Sequence, residues 1–125
     1  MISIITPVIN EENNVAAFLS HLRKLEGDFE VILVDGGSSD HTIEAIEERI
    51  REFNRKIRLL RTRQGRSAQI NMGAEMANGT ILLFLHADCF VPRDALKIIE
   101  EETHLQKAVG GAFKQAFLGS DTFLR

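Results

Sequence analysis

Apolar and polar positions fall in blocks along this chain, and the spacing within each block predicts an element. Met1 to Pro7 (MISIITP) is a short apolar run rich in Ile and stopped by proline, which predicts a buried strand. Asn13 and Asn14 offer helix caps, and Val15, Phe18, Leu19, Leu22 and Leu25 then recur at helical spacing until Gly27 and Asp28 break it. Glu30 to Asp35 (EVILVD) predicts a second strand, followed by a tight loop of Gly36, Gly37, Ser38 and Ser39. Asp40 is placed to cap a helix whose apolar face is Ile43, Ile46, Ile50 and Phe53. Ile57 to Leu60 predicts a short third strand and Gln64 to Ser67 a polar loop. Ser67 to Ala77 predicts a small-residue helix, with Asn78 and Gly79 as its C-cap signal. Thr80 to Leu85 predicts a fourth strand, and Pro92 to about Thr103 a helix with proline in its first turn. Gly110 to Phe117 fits a fifth strand.

Strands alternating with helices imply a parallel sheet with helices on its faces and right-handed crossovers. Ligands on such sheets bind beyond the carboxyl ends of the strands. Three polar segments follow strands and are therefore candidates: Pro7–Glu12, Asp35–Asp40 and His86–Phe90. The chain has 125 residues, one domain's worth at about 100–150 residues per domain, with no internal repeat and no flexible linker. The formal charge is −3 and there is no run of Lys and Arg, which argues against a nucleic-acid partner. No apolar run approaches the roughly 18 residues of a membrane span. Met1 leads straight into a strand without a basic leader, and the single cysteine, Cys89, has no internal disulfide partner. A cytoplasmic location is the expectation. Eight Phe stand beside no Trp and no Tyr, so a sugar-stacking platform is expected elsewhere or not at all.

Several residues carry candidate chemistry. Asp35 ends the second strand, where a carboxylate can accept from a base or a ribose, or can bond the amides of its own turn. The Gly-x-Gly-x-x-Gly of dinucleotide folds does not follow the first strand, which weakens a dehydrogenase reading. Asp88 is a hard oxygen donor just past the fourth strand, suited to Mg2+ or Mn2+ or equally to capping a turn. His86 suits a ribose hydroxyl or a strand-end hydrogen bond. Cys89 reads as a small buried residue rather than a nucleophile or ligand, since no second thiol is present. Arg66 stands at a helix start, where a guanidinium and free N–H groups suit a phosphate. It belongs to a stretch with Arg58, Arg61 and Arg63 that is equally a solvated surface.

Together the segments resemble family 2 glycosyltransferases. Pro7-Val8-Ile9-Asn10-Glu11 resembles that family's opening Pro-x-x-Asn-Glu, and Val34-Asp35-Gly36-Gly37-Ser38-Ser39-Asp40-His41-Thr42 its Val-Asp-Asp-Gly-Ser-x-Asp-x-Thr. Gly65-Arg66-Ser67-Ala68 through Asn71-Met72-Gly73-Ala74 is similar to its Gly-x-x-x-Ala-x-Asn-x-Gly helix. Leu83-Phe84-Leu85-His86-Ala87-Asp88 stands where its Phe-Leu-Asp-x-Asp would be. A subgroup with His-Ala-Asp at this place and Gly-Gly-Ala-Phe downstream, here Gly110-Gly111-Ala112-Phe113, is matched best.

The resemblance implies a Rossmann-like GT-A fold, C-terminally truncated, with residues 1–125 as a single nucleotide-binding domain and the acceptor half absent. It implies that Pro7 and Val8 lie against a nucleobase and that Glu11 and Asp35 recognise base and ribose. It implies Arg66 near the base or diphosphate, and Asp88 holding the cation. Asn10, Gly36, His86 and Ala87 fall in the same motifs and join the nucleotide-binding set. His86 replaces the first carboxylate, and neutral imidazole is a poor ligand for hard Mg2+. The implied ligand is a UDP- or GDP-linked nucleotide-diphospho-sugar, brought with Mg2+ or Mn2+, and the implied reaction is inverting transfer to an acceptor hydroxyl. No catalytic base is assigned: Asp94, Glu100, Glu101 and Glu102 fall on a solvent-facing helix, and Asp121 is near the end. The chain alone is accordingly expected to be weak or inactive. The other readings are a nucleotide-binding module acting with a partner subunit, and a nucleotidyltransferase-like enzyme. An uncovered sheet edge and helix faces predict self-association into a homo-oligomer.

Overall fold

A computed structural model describes residues 1–53 and 55–106. Four strands alternate with four helices: β1 (Ile2–Val8), α1 (Val15–Arg23), β2 (Phe29–Asp35), α2 (Thr42–Ile50), β3 (Ile57–Arg61), α3 (Arg66–Met76), β4 (Ile81–Phe84) and α4 (Ala95–Gln106). The strands are all parallel, in the order β3-β2-β1-β4. The chain steps outward from β1 to β3, and α3 then carries it back to the far side of β1. The expected fifth strand, Gly110 to Phe117, lies outside the described residues.

Both faces of β1 and β2 are buried, which is why these strands read as unbroken apolar runs. Ile2, Ile4 and Val8 with Val31 and Leu33 pack beneath α1, α2 and α4. The α1 stripe of Val15, Phe18, Leu19 and Leu22 is wholly buried there, and a side chain of Phe18's size contributes about 1.5–3 kcal/mol when fully covered. The opposite face, Ile5, Ile32 and Val34, meets Met72 and Ala74 of α3. A Cβ at Gly73 would lie 2.5 Å from Ile5 Cγ2, so only glycine lets α3 sit this near the sheet.

At the amino end of the sheet the buried carboxylate of Glu30 accepts from Ser3 Oγ at 2.6 Å and from the Asn78 N–H at 2.6 Å. Arg58 pairs with it at 3.5 Å and also donates to the Met76 carbonyl. Burial opposes ionisation of Glu30, but the bonds from Ser3 and Asn78 outweigh it and hold the carboxyl below its ordinary range.

Several element ends differ from expectation. Pro7 lies inside β1 rather than stopping it. The Ile5 carbonyl faces β4 and the Val8 carbonyl faces β2, so by alternation Pro7 nitrogen faces the β4 side, past the end of that strand. Helix α3 begins at Arg66 and leaves through an extended Ala77, without a left-handed glycine. Gly79 is needed for closeness instead: a Cβ there would lie 2.6 Å from the Met1 carbonyl oxygen. Helix α4 begins at Ala95 because residues 92–95 close a turn, Ala95 N–H to Pro92 carbonyl, and Arg93 carbonyl is taken by Glu26 N–H.

Candidate functional site

The loops after β1 and β2 are sewn together by side chains. Asn10 adopts φ 52°, a left-handed conformation that Asn tolerates better than most residues. This turns its amide toward the second loop, where Oδ1 accepts from Ser39 N–H at 2.8 Å and Asp40 N–H at 3.3 Å. Glu11 N–H donates to Thr42 Oγ1 at 2.7 Å, and Glu12 N–H to Asp40 at 3.3 Å. Asp40 caps the α2 start as expected in substance, accepting the Thr42 N–H at 2.9 Å, although the residue bordering the helix is His41. Asn14 makes no cap bond; its amide donates to Glu11 Oε1 at 2.8 Å. The Asn10 and Asp40–Thr42 positions thus build the loop pair that holds Glu11.

Asp35 is buried and serves its own turn. Its carboxylate accepts from Gly37 N–H at 2.8 Å, Ser38 N–H at 3.0 Å and Ser38 Oγ at 2.5 Å. Of about four acceptor positions on a carboxylate, one is left for a ligand. Gly36 is buried against Gln69, whose side-chain carbon would lie 2.7 Å from a Cβ at that position. Gln69 Nε2 donates to the carbonyls of Val8 and Val34, each at 2.9 Å, and so ties α3 to the carboxyl ends of β1 and β2.

A cleft opens above this joint, where the strand order reverses at β1. It is lined by Pro7, Val8, Ile9, Glu11, Gln64, Gly65, Arg66, Gln69 and His86 and encloses about 530 Å³ of space open to solvent. Pro7, Val8, Glu11, Arg66 and His86 of the expected set line it, whereas Asn10, Asp35, Gly36, Ala87 and Asp88 do not. Gln64 and Gln69 were not singled out by sequence. Gln69 shares a helical stripe with Gly73, and that spacing is the signal that marks it as facing the sheet. Gly65, at φ 133°, turns the chain so that Arg66 opens α3. Arg58, in contrast to the expected basic stretch, turns to the opposite end of the sheet. Arg61, Arg63 and Arg66 have no ion pair among the described residues.

Asp88 projects into solvent from the turn after β4, while its neighbours Ala87 and Val91 are buried. Its carboxylate receives one weak contact, from the Cys89 thiol at 3.8 Å. Burial pushes that thiol up from its ordinary value, so it stays protonated at neutral pH. No cluster of three metal-binding side chains occurs among the described residues. A single free carboxylate suits Mg2+ or Mn2+ arriving with diphosphate and water oxygens, and does not suit an ion caged by protein alone.

The model of Glycosyl transferase family 2 matches residues 3–122. An uncharacterized glycosyltransferase of Haemophilus influenzae is 39% identical over 99 residues, which cover 78% of this chain and 40% of that protein. The crystal structure of Staphylococcus aureus TarS in complex with UDP-GlcNAc superposes with a TM-score of 0.71 at 27% identity, over 85% of this chain and 32% of that one. The mannosyltransferase PcManGT of Pyrobaculum calidifontis, solved with GDP-Man and Mn2+, superposes with a TM-score of 0.71 at 24% identity, over 76% of this chain and 30% of that one. The chain therefore spans well under half the length of the proteins it matches. With its parallel sheet, its stitched loop pair and a family match that runs almost end to end, this chain belongs to Glycosyl transferase family 2.

Proposed function

We propose that this chain supplies the donor site of a glycosyltransferase that takes a UDP- or GDP-linked sugar and transfers it, with inversion, to an acceptor hydroxyl. The observation that carries the reading is the cleft at the carboxyl end of β1, whose lining includes both Glu11 and Arg66 at the head of α3. Pro7 and Val8 form an apolar floor for a flat base. Glu11 accepts hydrogen bonds from base or ribose, while Asp35, buried and bonded within its own turn, shapes the loop beside the cleft. Arg66 and the first N–H groups of α3 meet negative charge without burying it unpaired. His86, at the mouth, offers an imidazole to a hydroxyl.

Asp88 would hold a divalent cation, which in the bound state offsets the charge that grows on the departing diphosphate. The solved complexes of TarS with UDP-GlcNAc and of PcManGT with GDP-Man and Mn2+ support a nucleotide-sugar and a cation as the class of ligand. Calorimetric titration of UDP and GDP into the chain tests the reading. One of the two is expected to bind saturably, and Arg66→Ala to weaken it by roughly tenfold, the size expected for losing a charged hydrogen bond. Binding of neither diphosphate overturns the proposal.

A further inference from the structure

The turn that presents Asp88 is fixed at both ends. At its start Leu85 N–H donates to the Ile5 carbonyl of β1 at 3.1 Å, and the turn closes through Cys89 N–H to the His86 carbonyl at 3.0 Å. At its far end, beside the buried Val91 side chain, a side chain from α1 takes the backbone: Val91 N–H donates to His21 Nε2 at 2.9 Å. The same imidazole meets the Phe90 ring edge-on, with centroids 5.0 Å apart and planes at 80°. A ring nitrogen that accepts an N–H carries no proton, so His21 is held as the neutral Nδ1–H form. Burial, aided by Lys24 one turn along α1, lowers its pKa and favours that form.

This fastening bears on the cation because Asp88 has no companion carboxylate. Where several protein ligands share an ion, a small displacement of one is absorbed by the rest. Here any shift of the turn moves the one hard donor. We propose that His21 is a positioning residue for the donor's cation: by holding Val91 N–H it sets where Asp88 meets the metal–diphosphate. The inference rests on the donor-site reading above. It also separates two parts of that site, since Pro7, Val8, Glu11 and Arg66 sit on other elements, and His86 stands at the start of the turn, beside the Leu85 bond to β1 and away from the end that His21 holds.

The test compares the parent with His21→Phe, which keeps a ring against Phe90 but accepts no hydrogen bond, and His21→Gln, which restores an acceptor. UDP and GDP are each titrated with and without Mn2+, and amide exchange is followed across residues 86–91. His21→Phe is expected to lose on the order of tenfold in the Mn2+-dependent gain in affinity, the low end for a group that orients a metal ligand. Its Mn2+-free affinity stays at the parent's value, exchange at Val91 quickens, and His21→Gln recovers most of the gain. A parent-like Mn2+ gain in His21→Phe overturns the proposal, as does an equal loss with and without Mn2+. If the parent itself binds neither diphosphate, the donor-site reading fails, and unchanged Val91 exchange in His21→Phe then overturns the positioning role separately. Should His21→Phe not fold, His21→Asn, whose amide is too short to reach Val91, takes its place.

Discussion

Asn10 does two jobs in the loop after β1. Its left-handed backbone makes the turn, and its side-chain oxygen then accepts the N–H groups of the facing loop. Asn10→Ala is expected to cost about 0.5–1.5 kcal/mol, the net worth of an ordinary hydrogen bond, because the exposed N–H groups of Ser39 and Asp40 lose their shared acceptor. Asn10→Gly relieves the backbone and should cost less. Urea unfolding of the two variants checks this, and an alanine variant as stable as the parent would mean that the loops do not depend on Asn10.

Glu30 acts at the other end of the sheet. Its folded pKa lies below the ordinary carboxyl value, so its stabilising contribution is complete above that value and fades as pH falls through the lower, folded one. In Glu30→Gln the melting temperature is expected to be lower at neutral pH, by an amount corresponding to about 1.5–3 kcal/mol, the range for hydrogen bonds to a charged group. The gap to the parent should narrow below about pH 4. Parallel melting curves from pH 7 to pH 3 would contradict it. Neither role was legible in the sequence. A Glu opening an apolar strand reads as a boundary, and nothing in the pattern brings Ser3, Arg58 and Asn78 to it. Asp35 was legible only as a pair of alternatives, since base-binding and turn-making carboxylates have the same neighbours. The structure shows the turn bonds.

Among the elements, α3 joins the fold to the site. Its stripe of Gln69 and Gly73 lies directly on β1 and β2, and Arg66 at its head reaches the cleft. Gly73→Ala places a methyl 2.5 Å from Ile5 Cγ2. The helix must lift, at about 1–3 kcal/mol for overpacking, and nucleotide affinity should fall with it although residue 73 touches no ligand. Thermal unfolding and titration together check this, and a variant equal to the parent in both would show that α3 has slack. The elements themselves were readable because the strands are short, largely apolar runs between polar loops and α1 keeps one clean stripe. Their ends were less so. The exit from α3 depends on how closely Gly79 passes Met1, a contact between segments far apart in sequence. The start of α4 depends on Arg93 being tied to Glu26.

At the scale of the molecule, α1, α2 and α4 cover one face of the sheet, while among the described residues α3 covers part of the other. Leu82 and Phe84 of β4 are left 40% and 44% exposed on that second face. No helix is long and apolar enough to cross a membrane among the described residues. The cleft and the Asp88 turn lie at the carboxyl end of the sheet, where the strand order reverses. That placement was predictable, because alternation of strand and helix fixes the sheet and the sheet fixes its ligand edge. The arrangement within it was not: Pro7, Val8, Glu11 and Arg66 line the cleft, and Asp88 stands apart on its own turn.

That division makes the most direct test of the account a measurement of linkage between cation and nucleotide. Mn2+ and the better-binding of UDP and GDP are titrated singly and together, into the parent and into Asp88→Ala. The account predicts negligible Mn2+ binding alone, since one carboxylate is too few ligands. It predicts a gain of about tenfold or more in nucleotide affinity when Mn2+ is present, a coupling of at least about 1.4 kcal/mol. Asp88→Ala should abolish that gain and leave Mn2+-free binding intact. Tight Mn2+ binding without nucleotide, or a full Mn2+ gain in Asp88→Ala, would contradict it.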